Sequence, residues 1–157
     1  MKSNYNSELE VNLYFIKSDF KDILIRLCKK VLEEKDRYLI NLKDEKDLAE
    51  LDKYLWIKDK NNFIPHQTFD DNLSEIDKLV LFYGPYEKLK KFDDFKKIII
   101  SPNVKISEFK AFEKFMIFSN KVLTGDFLKE LKSKFLKNKI KYKIFYEYDS
   151  LKWKLVN

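Results

Sequence analysis

From Val11 to Ile16 (VNLYFI) the chain is nearly continuous in β-forming apolar residues, which predicts a strand. Ser18 or Asp19 then stands where a helix N-cap belongs. Over Phe20 to Lys35 the apolar residues Phe20, Ile23, Leu24, Leu27 and Val31 recur on one helical face, with Cys28 beside them as a small core residue. Arg37 to Leu42 (RYLINL) predicts a second strand. Asp44 can cap a second helix that carries Leu48, Leu51 and Leu55 on one side.

Trp56 to Leu73 holds Pro65 and several Asn and Asp residues without a sustained period, so a loop is expected. Leu79 to Tyr83 and Lys97 to Ile100 are short apolar runs of the kind found in buried strands, separated by a Gly84-Pro85 turn and a charged stretch. Lys114 to Phe118 repeats that pattern. Thr124 is placed to cap a last helix, with Phe127, Leu128, Leu131 and Phe135 on one face and lysines on most of the other. Tyr142 to Tyr148 and Lys152 to Val156 predict a closing hairpin around Asp149-Ser150. Strands alternating with helices specify an α/β fold: three layers, α/β/α, with a mainly parallel central sheet and the C-terminal hairpin at its end.

At 157 residues the chain suffices for one domain, 1–157, whose polar start, 1–10, is expected to be a flexible N-terminus. Aromatic residues make up 16% of the chain, which excludes disorder as its main state. The net charge of +6 is unevenly placed. Lys129 to Lys154 holds nine lysines against Glu130, Glu147 and Asp149, so the remainder is neutral. A basic C-terminal segment on a neutral body suits an acidic partner, either nucleic acid or an acidic peptide, and suits equally a solvated helix face. A single cysteine excludes an internal disulfide and fits a reducing compartment. No apolar run is long enough to span a membrane, so a cytoplasmic protein is expected.

The chain offers little to catalysis. With Gly84 and Gly125 as its only glycines, it holds neither a dinucleotide fingerprint nor a P-loop. His66 is the sole histidine, which rules out a zinc site with several histidine ligands, and a loop imidazole bonded to backbone is the expected role. Asp70-Asp71 and Asp93-Asp94 are acid pairs that in principle hold a metal ion, but in so charged a chain they are expected to be solvated or capping. No cofactor and no metal are expected. Tyr142, Phe145, Tyr146, Tyr148 and Trp153 alternate with the C-terminal lysines, which makes a small single-stranded nucleic-acid-binding module the alternative function. Trp56 and Phe63, large and aperiodic, either cover the core or anchor a partner.

Two motifs then narrow the reading. Leu51-Asp52-Lys53-Tyr54-Leu55-Trp56, followed by Asn62-Phe63-Ile64-Pro65-His66, resembles the paired hallmark of the chi subunit of bacterial DNA polymerase III, with Asn62 in place of the usual serine. Phe112-Glu113-Lys114-Phe115 is similar to the run that opens that family's last core strand, and Lys132-Ser133-Lys134-Phe135 to its Arg-x-Arg-aromatic helix motif. The resemblance implies a non-catalytic adaptor of the replisome, linking the clamp loader to single-stranded DNA-binding protein (SSB), with nucleic-acid contact mostly indirect. It implies that Trp56, Phe63, Ile64 and Pro65 face the psi subunit or another clamp-loader component, a face for which a Rad3-type helicase can compete. It also implies that Lys129, Lys132, Lys134, Phe135, Leu136 and Lys139 receive the acidic C-terminal tail of SSB, which ends in proline and phenylalanine. The family's arginines are lysines here, which removes the bidentate fork for a carboxylate.

Overall fold

The apolar runs become strands because both sides of each can be covered. The computed structural model describes residues 9–57, 64–84, 94–106, 109, 112–121 and 125–156. In chain order the elements are β1 (Glu10–Phe15), α1 (Phe20–Val31), β2 (Tyr38–Leu42), α2 (Glu45–Ile57), β3 (Gln67–Thr68), β4 (Leu79–Tyr83), β5 (Lys97–Ile100), β6 (Lys114–Ser119), α3 (Asp126–Lys137), β7 (Tyr142–Asp149) and β8 (Lys152–Leu155). The strands form one sheet in the order β3-β4-β2-β5-β6-β1-β7-β8. Every pairing is parallel except that of β7 with β8. The fold is therefore the expected α/β one, a mostly parallel sheet ending in an antiparallel hairpin.

Successive residues of a strand point to opposite faces, which locates the helices. Tyr14 stacks on Phe118, whose ring also meets Phe20 of α1. Phe15, the next residue, meets Phe127 of α3. Hence α1 and α3 cover opposite faces, and α2 touches α1 while packing on β2 and β4. Being covered on both sides is why β2 is buried at all five positions, whereas β8, at the sheet's edge, has none buried.

Chain direction explains the layers. From β1 the chain travels through α1 towards β2, and from neighbouring β6 through α3 towards β7, in the opposite direction along the sheet. Right-handed crossovers then put the two helices on opposite faces. A crevice of about 420 Å3 opens at the C-terminal ends of β1, β2, β5 and β6, lined in part by Lys17, Ser18 and Ser101. This is where an open parallel sheet reverses its winding.

Several boundaries depart from expectation. α1 stops at Val31, not Lys35, because Glu33 to Asp36 have nothing apolar to bury. Glu34 instead accepts a hydrogen bond from the Tyr38 hydroxyl and pairs with Lys97. Trp56 and Ile57 finish α2 and do not open a loop, and the stretch that follows contributes β3, which pairs with β4. The N-cap of α3 is Gly125, without a side-chain cap, and Thr124 lies outside the described residues, as does Pro85 of the expected turn. Glu10 already belongs to β1, so the strand begins inside the segment expected to be flexible, of which 1–8 lie outside the described residues.

Candidate functional site

The end of α2 is organised by its own sequence. Asp44 starts the helix, its side chain accepting from the Asp47 amide at 2.9 Å and its carbonyl from the Leu48 amide at 3.1 Å. Leu48, Leu51 and Leu55 turn inward and are buried, which carries Asp52 and Trp56, one turn apart, to the outer side. Trp56 is 51% exposed and Ile57 60%.

Asp52 joins the two aromatic-bearing motifs. Its Oδ1 accepts from Trp56 Nε1 at 3.1 Å and lies 2.7 Å from His66 Nε2. The other ring nitrogen of His66, Nδ1, lies 2.8 Å from the Ile64 carbonyl, and the imidazole sits 5.2 Å from the indole. His66 is buried, so the ring is a fixed prop beneath Trp56. Pro65 is exposed, and with Trp56 and Ile76 it rims a dent of about 240 Å3. Trp56 and Pro65 thus share one surface. Ile64 does not: it is buried, a correction to its expected place on the partner face, since its side chain belongs to the hydrophobic core. Phe63 lies outside the described residues.

Ile76, 85% exposed, was not signalled by periodicity, being a lone apolar residue in a polar stretch. Its loop is held by Arg37, which donates to the carbonyls of Asp77 and Ser74, both at 2.9 Å, and lies over the Phe95 ring. The Ser74 amide donates to Asp77 at 2.7 Å and tightens the same turn.

The second expected site is α3. Leu128, Leu131 and Phe135 face inward, and Lys129, Lys132 and Leu136 stand exposed on the opposite side. Leu136 is 83% exposed. Lys139 follows the helix end with a left-handed backbone, φ 55°. Lys134 donates to the Ile106 carbonyl at 2.8 Å, which ties it to the neighbouring segment. Phe135 is fully buried, with Tyr142 at 4.7 Å and Phe109 at 5.2 Å, so it cannot itself touch a bound peptide. Its expected contact role is corrected to that of a core residue beneath the stripe, because α3 turns it inward with Leu128 and Leu131.

The C-terminal rings are divided. Phe145 and Trp153 meet Tyr14 on the α1 side of the sheet, Tyr142 meets Phe135 of α3 on the other, and Tyr148 is exposed. Strand alternation thus divides these rings between the two faces of the sheet. Two of the four acids considered for catalysis have structural partners. Asp71 accepts from the Thr68 amide and hydroxyl, and Asp94 lies 3.7 Å from Arg37 Nη1, while Asp93 is outside the described residues. Burial pushes the Cys28 thiol up to about 12.

Glu147 was not singled out in the sequence, where it reads as one acid among many. On β7 it is buried, and its carboxylate accepts from the Lys17 amide at 2.6 Å, the Ser18 amide at 2.8 Å, the Ser18 hydroxyl and the Leu151 amide at 2.7 Å. Burial pushes the carboxyl up, but those donors together outweigh it and hold the group at about 2. The turn after β1, which in many α/β folds presents its amides to a phosphate, here has two of them filled by the protein's own carboxylate. No helix among the described residues is long and apolar enough to cross a membrane.

A family model for DNA polymerase III chi subunit, HolC, matches residues 10–122, well over half of the chain and all of β1 to β6. No curated protein matches the chain.

Proposed function

The chain belongs to the DNA polymerase III chi subunit family, an accessory component of that polymerase, and from this premise we propose that it is a non-catalytic cytoplasmic adaptor. One face, carrying Trp56 and Pro65 with Phe63 adjacent in sequence, docks the clamp loader through psi or an equivalent subunit. A Rad3-type helicase competes for that face. The other face, the exposed stripe of Lys129, Lys132, Leu136 and Lys139 with Lys134 beside it, receives the acidic C-terminal tail of SSB.

The observation that carries the first half is the Asp52 carboxylate shared by Trp56 and His66, which makes the two motifs one unit with a half-exposed indole on top. A fixed aromatic anchor loses little side-chain entropy on binding. Ile76 extends the apolar surface beside it. For the second half, support comes from the charge map and from Leu136, an exposed apolar group among cations that suits a tail combining acids with a terminal phenylalanine.

A native pull-down with tagged wild type and Trp56→Ala tests the first face: the variant should fold, keep SSB and lose clamp-loader subunits. Retention of both partners overturns that assignment. Fluorescence anisotropy with a labelled SSB tail peptide tests the second. Lys132→Glu should weaken binding by roughly tenfold at low salt, and deletion of the terminal phenylalanine should weaken it further. Equal binding of both peptides, or indifference to Lys132→Glu, refutes the tail site.

A further inference from the structure

The sheet continues past α1, because β7 and β8 extend beyond the strands that this helix covers. Between α1 and the hairpin runs a groove of about 560 Å3, within the roughly 300–1,000 Å3 of sites that enclose small ligands or side chains. Its floor is Tyr14, Met116, Phe118 and Trp153. Its rim, from a single turn of α1, is Arg26, Lys29 and Lys30, and no acid lines it. Among the described residues Arg26 and Lys30 lie within ion-pair distance of no carboxylate.

Arginine is scarce in this chain, with Arg26 and Arg37 the only two among 32 basic residues. Arg37 is occupied by the Ser74 and Asp77 carbonyls. Arg26 is exposed at the groove and is the one fork there that can take a carboxylate through two parallel hydrogen bonds.

We propose that this groove docks an acidic peptide segment of a protein partner, with one aromatic or long aliphatic side chain laid over Met116 and Trp153 and its carboxylates on Arg26 and Lys30. The site lies on the opposite face of the sheet from the α3 stripe and is independent of it. A nucleic-acid strand fits less well. The Tyr14 ring already lies between Phe118, at 4.7 Å and 13°, and Phe145, at 5.2 Å and 12°, with Trp153 against it nearly at right angles. Both faces of Tyr14 are taken, so a base cannot stack on that ring, whereas a side chain can pack on ring edges and the Met116 sulfur.

Trp56→Phe leaves Trp153 as the sole tryptophan and makes the groove optically readable. The full chain of that variant is titrated with a short Asp/Glu-rich peptide bearing one central phenylalanine, followed by Trp153 emission and calorimetry. Saturable binding with a shift in Trp153 emission is expected. Arg26→Glu or Lys30→Glu, both on the exposed side of α1, should weaken it about tenfold, as should alanine in place of the peptide's phenylalanine, while Lys132→Glu should change it less than about twofold. The proposal is overturned by absence of saturable binding, by an unchanged Trp153 emission, by Lys132→Glu weakening binding as much as Arg26→Glu, or by an oligothymidylate that displaces the peptide at equal charge.

Discussion

Replacing Glu147 by Gln keeps the side chain's shape and removes its charge, which isolates what the buried carboxylate contributes. In the wild type, one oxygen accepts from the Lys17 and Ser18 amides and the other from the Ser18 hydroxyl and the Leu151 amide. Glutamine has one acceptor oxygen. Whichever way it turns, its NH2 faces at least one backbone N–H, and that donor is left unsatisfied in a buried place. The carboxyl is held at about 2 against an ordinary 4.5. At about 1.36 kcal/mol per unit, that difference corresponds to about 3 kcal/mol of folding stability at neutral pH. The sign follows from the lowered folded-state value: the contribution is complete above the unfolded pKa of 4.5 and fades as pH falls towards 2. Urea unfolding followed by circular dichroism, run on both proteins from about pH 7 to pH 2.5, should give a gap of about 3 kcal/mol that narrows below about pH 4.5. The corresponding loss in Tm near neutrality is about 6–12 °C. A neutral-pH gap under about 0.5 kcal/mol, or one unchanged at the acid end, refutes the reasoning, since packing does not titrate.

Phe135→Ala should cost about 3–5 kcal/mol in the same urea assay while Leu136→Ala stays within about 0.5, which separates the core residue from its exposed neighbour. Asp52→Ala removes the acceptor of the Trp56 indole and the carboxylate beside His66 Nε2, and should cost about 1–3 kcal/mol. In a Trp153→Phe background it should also lower the emission anisotropy of Trp56, and an unchanged anisotropy would show that the indole is held by something else.

Local pattern and tertiary structure divided the information about this chain in a physically intelligible way. Strands covered on both faces were legible because burial demands unbroken apolar runs: β4 and β5 fall at the residues that Leu79 to Tyr83 and Lys97 to Ile100 predict. The helical faces of α1 and α3 were legible because 3.6-residue periodicity is itself a record of what is buried. The pairing of Leu-Asp-x-x-Leu-Trp with Phe-Ile-Pro-His was also visible along the chain, and family membership followed from it. Why those motifs belong together was not, since the Asp52–His66 contact closes across fourteen residues. The same helical periodicity set Phe135 inward with Leu128 and Leu131 and left Leu136 off that face, whereas nothing local separated Ile64 from Pro65, because exposure there depends on which neighbour occupies the space. Arg26 and Trp153 are 127 positions apart and meet over the same groove only because β7 and β8 were added beside β1. Glu147 is the clearest case. A carboxylate in a lysine-rich segment reads as solvated charge, and only the approach of the β1–α1 turn, 130 residues away, makes it a buried acceptor. Short-range order is written in periodicity, whereas a long-range polar contact depends on the path of the whole chain and leaves no local pattern.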